Sequence, residues 1–309
     1  MLDSFRLSAQ EFQTRDNQSR LALCPLFSKI GDYVSRVLQD GYFTGVNFGV
    51  GTQTKQGIIY QLQGKTYSGT EPFFAGQWNQ EIPFQQETSW IDRGSFGVRL
   101  LSKGPVCCES VLDMSKRFGL MATLSAFESD HERFKAQFDW QRKHVALSTN
   151  FIFGVAPKME TSLVVGFSNL LLATQLALEP TFKFPSWVVA CNYQDGDSGQ
   201  ITLFIHDRGP SVTCSYLHNV SGRLSVAARF VYSSNIEQRS LVFGTQYYLD
   251  NDTLLKAKVD SSGTIALSCI QQLTRSAPWK VQIGISSFID VASVEKKSPA
   301  MGVSLQVES

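Results

Sequence analysis

Residues 247–273 read Tyr-Tyr-Leu-Asp-Asn-Asp-Thr-Leu-Leu-Lys-Ala-Lys-Val-Asp-Ser-Ser-Gly-Thr-Ile-Ala-Leu-Ser-Cys-Ile-Gln-Gln-Leu. Thr253, Leu255, Ala257 and Val259 fall on one side at period two, and Lys256 and Lys258 fall on the other. The turn formers Asp260-Ser261-Ser262-Gly263 interrupt this pattern, and Ile265 and Leu267 resume it. The stretch is a β-hairpin with one apolar and one charged face.

The same alternation extends outward over most of the chain. Phe134, Ala136, Phe138 and Trp140 alternate with Arg133, Lys135, Gln137 and Asp139. Further segments are Ile201-Leu203-Ile205, Leu224-Val226-Ala228-Phe230, Val281-Ile283-Ile285 and Val303-Leu305-Val307. Turn signals such as Asp195-Gly196-Asp197, Arg208-Gly209-Pro210 and Val220-Ser221-Gly222 separate them. About 19 to 20 such segments follow Gly45, and at roughly 9 to 11 residues per tilted membrane strand they use nearly all the chain. The greasy run 163–178 is broken by Ser168, Asn169, Thr174 and Gln175, short of the roughly 18–20 apolar residues of a spanning helix, and reads better as a hairpin turning at Ser168-Asn169.

Composition agrees with dispersed apolar residues. Hydrophobic residues make up 43% of the 309, yet mean hydropathy is −0.09, as alternating strands require. The 22 Phe, 9 Tyr and 5 Trp suit strands in general and interfacial girdles in particular. A net charge of +1 gives no basic balance for nucleic acid. Six cysteines, with no Cys-x-x-Cys pair and no zinc-ligand spacing, read as free thiols.

The N-terminal region is organised differently. Residues 1–24 are a polar extension, mobile or partner-binding, without the apolar core of a secretory signal. Over 25–41 an amphipathic helix is expected, with Leu26, Ile30, Val34, Val37 and Leu38 on one face. Lys29, Asp32, Ser35, Arg36 and Gln39 occupy the other face, and Gly41 ends it.

The frame Tyr-x-Leu-Asp-x-Asp, Ala-Lys-Val, Ser-x-x-x-Ile-x-Leu and Gln-x-Leu in 247–273 resembles the C-terminal strands of the mitochondrial voltage-dependent anion channels. Gly31, ten residues before Gly41-Tyr42-Phe43-Thr44-Gly45, resembles that family's helix and glycine hinge, and the likeness extends over 26–309. It implies an all-β fold, a transmembrane β-barrel over 42–309 with the amphipathic helix in or near the lumen. The family's barrel has 19 strands, so that number comes with the resemblance and not with the segment count. Asp32 and Asp40 depart from the basic residues that commonly flank the family's helix, which makes the lumen less positive. Gly302, Leu305 and Val307 match the sorting signal of outer-membrane barrels, although Ala300 stands where the signal has a polar residue. Alternation alone leaves a soluble β-sandwich open. A barrel places its apolar faces on lipid and satisfies its backbone by closure, and the resemblance decides for it.

No catalytic constellation stands out. His131, His144, His206 and His218 are scattered, no His-Glu-x-x-His occurs, and Asp195-Gly196-Asp197 lacks the remaining calcium ligands. Neither an enzyme, a metal site nor a cofactor is expected. Lys256 and Lys258, with Arg133 and Lys135, are candidates to line the pore, and Gly31, Asp32, Arg36, Asp40, Gly41, Tyr42 and Gly45 form its helix and hinge. The expectation is a mitochondrial outer-membrane porin passing ions and anionic metabolites, inserted by the sorting and assembly machinery, with no nucleic-acid partner. The alternative is the pore of the outer-membrane protein translocase, passing precursor proteins alongside small helical subunits; the N-terminal extension and acidic helix fit it. A homo-oligomer and a purely structural docking barrel also stay open.

Overall fold

The computed structural model describes residues 23–54, 58–66, 73–83, 93–101, 107–114, 118–127, 132–179, 185–196, 198–207, 211–234, 238–273, 279–291 and 300–308. Nineteen strands form one sheet in which consecutive strands pair antiparallel and β1 (Gly45–Gln53) pairs with β19 (Ala300–Glu308). That last pairing is parallel, in register from Gly45↔Gly302 to Gly51↔Glu308. The parallel seam is a consequence of counting. In a ring of hairpins with an odd number of strands, the first and last must run the same way. Closure leaves no open edge, so the ladder satisfies the strand backbones without water.

Period-two alternation sets the two faces. On β16 (Thr253–Asp260) Leu255 and Val259 are exposed while Lys256, between them, is buried. β17 (Thr264–Gln272) repeats the pattern, with Ile265, Leu267 and Cys269 exposed and Ala266 and Ser268 buried. The exposed face is therefore the outer one, and the described large apolar side chains lie mainly there. Exposed Tyr60, Tyr193, Tyr216 and Tyr247 stand toward one end of the barrel, and exposed Trp187 and Tyr232 toward the other. Amphipathic rings at both rims suit a bilayer with two interfaces. No helix among the described residues is long and apolar enough to cross a membrane.

The 163–178 run is a hairpin. β9 (Lys158–Phe167) and β10 (Leu170–Leu178) pair antiparallel and leave only Ser168 and Asn169 for the turn. Ser168 has φ of 50°, in the left-handed region that tight two-residue hairpins require. The turn signal at Arg208-Gly209-Pro210 lies outside the described residues.

The helix expected over 25–41 is shorter. Phe27–Lys29 form one 3-10 turn, and α1 covers only Asp32–Leu38. Gly31, at φ of 80°, separates them and changes the chain direction. Seven residues are too few to be helical alone in water, so α1 owes its form to the wall it packs on.

Candidate functional site

The first mouth of the barrel is the end where β1 finishes and the 168–169 turn lies; the second is the end where β1 begins. Cys24 sits by the first mouth: its amide donates to the Arg142 carbonyl (2.8 Å), and Gln141 Nε2 donates to the Cys24 carbonyl (3.2 Å). From there the chain crosses the inside of the barrel to reach Gly45 at the second mouth. Cys24 and Ile30 pack with inward Ala146, Val164, Ala173 and Ala190. Val34, Val37 and Leu38 pack on Leu217 and Ala227, with Val242 alongside. The apolar face read from the sequence is thus divided between two patches of wall, with Gly31 between them.

The polar contacts fix the far end of α1. Lys256 Nζ donates to the carbonyls of Arg36 (2.6 Å) and Asp40 (3.1 Å), and Lys258 Nζ to that of Leu38 (3.1 Å). The last carbonyls of a helix lack partners within it and carry its negative dipole end, so two ammonium groups are well matched to this position. Lys258 also stands 4.4 Å from the centre of the Tyr42 ring and 5.8 Å from that of Phe288. Lys256 is only 6% exposed. Both lysines face inward, as their alternation indicates, but their charges are directed at the N-terminal segment more than at open lumen.

The other candidates are distributed as follows. Asp32 pairs with Lys29 at 3.8 Å, and the Arg36 guanidinium lies 5.3 Å from the Tyr33 ring centre. Burial raises the Asp40 carboxyl above its ordinary range, against the opposing pull of Lys256 and Arg36, and burial likewise raises the Tyr42 hydroxyl. Gly41 and Gly45 have φ of 77° and 74°, so the hinge uses a conformation that glycine adopts without strain. Lys135 lies half-buried on the inward side of β7 (Glu132–Gln141), apart from the lysine pair. Arg133 is in the same strand, and its side chain lies outside the described residues. Leu305 and Val307 share the outer face of β19, whereas Gly302 is buried on its inner face.

Several residues that hold the segment escaped the sequence reading. Arg229 Nη2 donates to Ser35 Oγ (2.8 Å), and Ser268 Oγ donates to the Gly41 carbonyl (2.6 Å). The Phe43 amide donates to Ser286 Oγ (3.1 Å), and that hydroxyl donates to the Phe43 carbonyl. One signal was available. Gly244, Gly284 and Gly302 fall at inward positions of their strands, and a Cβ there would strike Leu38, Phe43 and the Phe43 backbone respectively. These three glycines leave room for the segment, while inward Gly49, Gly51 and Gly97 meet only neighbouring strands.

The sequence profile of the eukaryotic porin family matches residues 24–302. The chain is 27% identical over 275 residues to a mitochondrial outer membrane porin of Triticum aestivum, covering 88% of this chain and 94% of that protein. It is 25% identical to mitochondrial outer membrane protein porin 2 of Oryza sativa subsp. japonica, over 91% and 95% of the two chains. It is 22% identical to a non-selective voltage-gated ion channel, VDAC2, of Xenopus laevis, over 93% and 100%.

Proposed function

The chain belongs to the eukaryotic porin family, and from that membership we propose that it is a porin of the mitochondrial outer membrane, conducting ions and small metabolites through a water-filled barrel. The observation that carries the reading is the closed 19-stranded ring with its apolar side chains outward and a lumen along one wall of which the N-terminal segment lies. Such a pore works by passive diffusion. The apolar outer face dissolves in the bilayer, the inner face keeps water continuous, and the segment along the wall narrows the passage.

Selectivity follows from which charges reach the water. Lys256 and Lys258 lie against the carbonyl end of α1, so their field in the open lumen is reduced by that dipole. Lys135, inward on another part of the ring, faces no such partner in α1 and is the better placed cation for drawing anionic metabolites. The pore is accordingly only weakly anion-preferring. The relatives' names favour this reading over the protein-import pore, which shares the barrel. Insertion by the sorting and assembly machinery and assembly into homo-oligomers are further parts of the proposal.

The test is reconstitution of the refolded chain into a planar bilayer with a salt gradient. The expected result is stable ohmic conductance at low voltage with a small reversal potential of anionic sign. Absence of conductance, or release of the protein into the supernatant on alkaline carbonate extraction of mitochondria, would overturn the porin reading. Strong cation preference together with block by a basic presequence peptide would favour the import pore.

A further inference from the structure

The inner face of β18 (Lys280–Asp290) and β19 carries a receptor for one residue of the hinge. Phe43 has both backbone groups bonded to the single hydroxyl of Ser286, which is 1% exposed. Its ring fills the space that Gly284 leaves open: a Cβ at 284 would overlap Cζ of that ring. Its carbonyl lies where a Cβ of residue 302 would be, and such a Cβ would also come within 2.6 Å of the Phe43 carbonyl carbon and 3.0 Å of the Thr44 Cα. Those last neighbours are backbone, so nothing flexible can move aside. Next to the clasp Tyr42 meets Phe288 edge to face, with ring centres 6.4 Å apart.

Two residues beyond Phe43 the parallel seam starts, with Gly45 opposite Gly302. The seam is the one place where the ring is closed without a hairpin, since β1 and β19 are the two ends of the barrel. A hairpin sets its own register through its turn; a seam between distant segments has no such guide. The clasp supplies one. With residue 43 fixed on β18 and β19, Gly45 can reach Gly302 only within the two-residue span between them.

We propose that Phe43, Ser286, Gly284 and Gly302 form an intramolecular docking site that positions the lumen segment and sets the register of the parallel seam. On this inference Gly302 is glycine because the hinge backbone docks against it, in addition to any part it plays in the sorting signal. The lumen segment and the last strands then close the barrel together. The inference concerns positioning and does not depend on which solutes pass.

The experiment uses the full chain refolded in detergent micelles, where no insertion machinery is present. Amide hydrogen exchange is followed at Phe43 and along β1 for the native chain, Gly302→Ala and Ser286→Ala. Barrel formation is checked by circular dichroism and by the gel shift on heating. The docking site predicts a formed barrel in Ser286→Ala with exchange at Phe43 faster by about three- to tenfold, as expected for loss of its partner. Gly302→Ala is expected to expose Phe43 further and to extend fast exchange into Gly45–Phe48 at the start of the seam. Unchanged exchange at Phe43 in both variants would overturn the docking site and leave Gly302 to the sorting signal alone. If Gly302→Ala fails to form a barrel, the Ser286→Ala result decides, because that change removes a hydroxyl and adds no volume. Faster exchange at Phe43 in Ser286→Ala with a seam unaffected in both variants would overturn the register role.

Discussion

Beneath the N-terminal segment, the inward positions of the wall hold Ala146, Val164, Ala190, Ala227 and Gly244, with Lys256 and Ser286 where the segment offers a backbone group. Along β1 to β7, inward positions hold Gln61, Gln63, Gln77, Glu109, Thr123 and Lys135. Both regions obey the same period-two alternation; the open wall mixes long polar side chains with small residues such as Gly49, Ala75 and Gly97, and what differs is whether the N-terminal segment lies on them. The covered wall combines small residues at the closest approaches, as at Gly244 and Ala227, with apolar side chains such as Leu217 and polar groups placed under the segment's carbonyls and amides. A wall facing water can carry long amides and charges, which stay solvated. Polarity by itself thus does not distinguish lining from packing, since Lys256 and Lys135 are equally polar and differently employed; nor does size alone, since Leu217 and Arg229 lie under the segment and Gly49 and Gly97 do not.

The largest expected effect tests the alternation on which the comparison rests, at the seam where the two regions meet. Leu305→Lys places a charge on the lipid face and should cost about 2–4 kcal/mol near the midplane, falling toward the rim. Gln306→Lys, one residue on and inward, should assemble normally. The yield of heat-modifiable barrel after refolding is the measurement, and equal yields for the two variants would show that β19 is assigned to the wrong faces.

A smaller effect separates the two regions directly. Lys256→Met removes both charge-assisted bonds to the end of α1 and should weaken its attachment by about 1.5–3 kcal/mol. Lys65→Met, inward on β2 (Ile58–Thr66), should leave α1 unaffected. Hydrogen exchange over Val34–Asp40 reads the attachment. Comparable acceleration in both variants would mean that the covered and open walls are not distinct.

The smallest effect is one of pH. Because burial raises the Asp40 carboxyl, the attached segment holds that proton more tightly than the unfolded chain does. Attachment is therefore firmest in acid and loosens as the pH rises through the raised value toward neutrality. Asp40→Asn should flatten this dependence in the same exchange experiment. With Asp32→Asn added, the reversal potential should move further toward anions, since two negative charges leave the lumen. If the double variant changes neither quantity, the helix does not border the conducting path.

The strands and their faces were legible from the alternating pattern, and the barrel only once the family resemblance was added to it. Leu255, Val259, Ile265, Leu267 and Leu305 were assigned to the right face from periodicity alone. The glycines at 41 and 45 were legible as the hinge for a similar reason, since only local backbone freedom is involved, whereas Gly31 was expected inside the helix and instead breaks it. The lysines were legible as inward but not as ligands of the helix end. Alternation assigns a face, whereas the partner on that face lies more than two hundred residues away in sequence.

The sequence by itself determined the strand class, the faces and the hinge, which depend on neighbours within a few residues, and the family, through motifs spread over nearly the whole chain. Tertiary structure alone decided that the helix is only Asp32–Leu38, that Lys256 and Lys258 hold it, and that Phe43 lies in a recess made by Ser286, Gly284 and Gly302. A helix this short has no stability of its own, so its length is set by the curved surface that receives it. Closure of the ring brings residue 43 against residue 302, and no local periodicity encodes that contact.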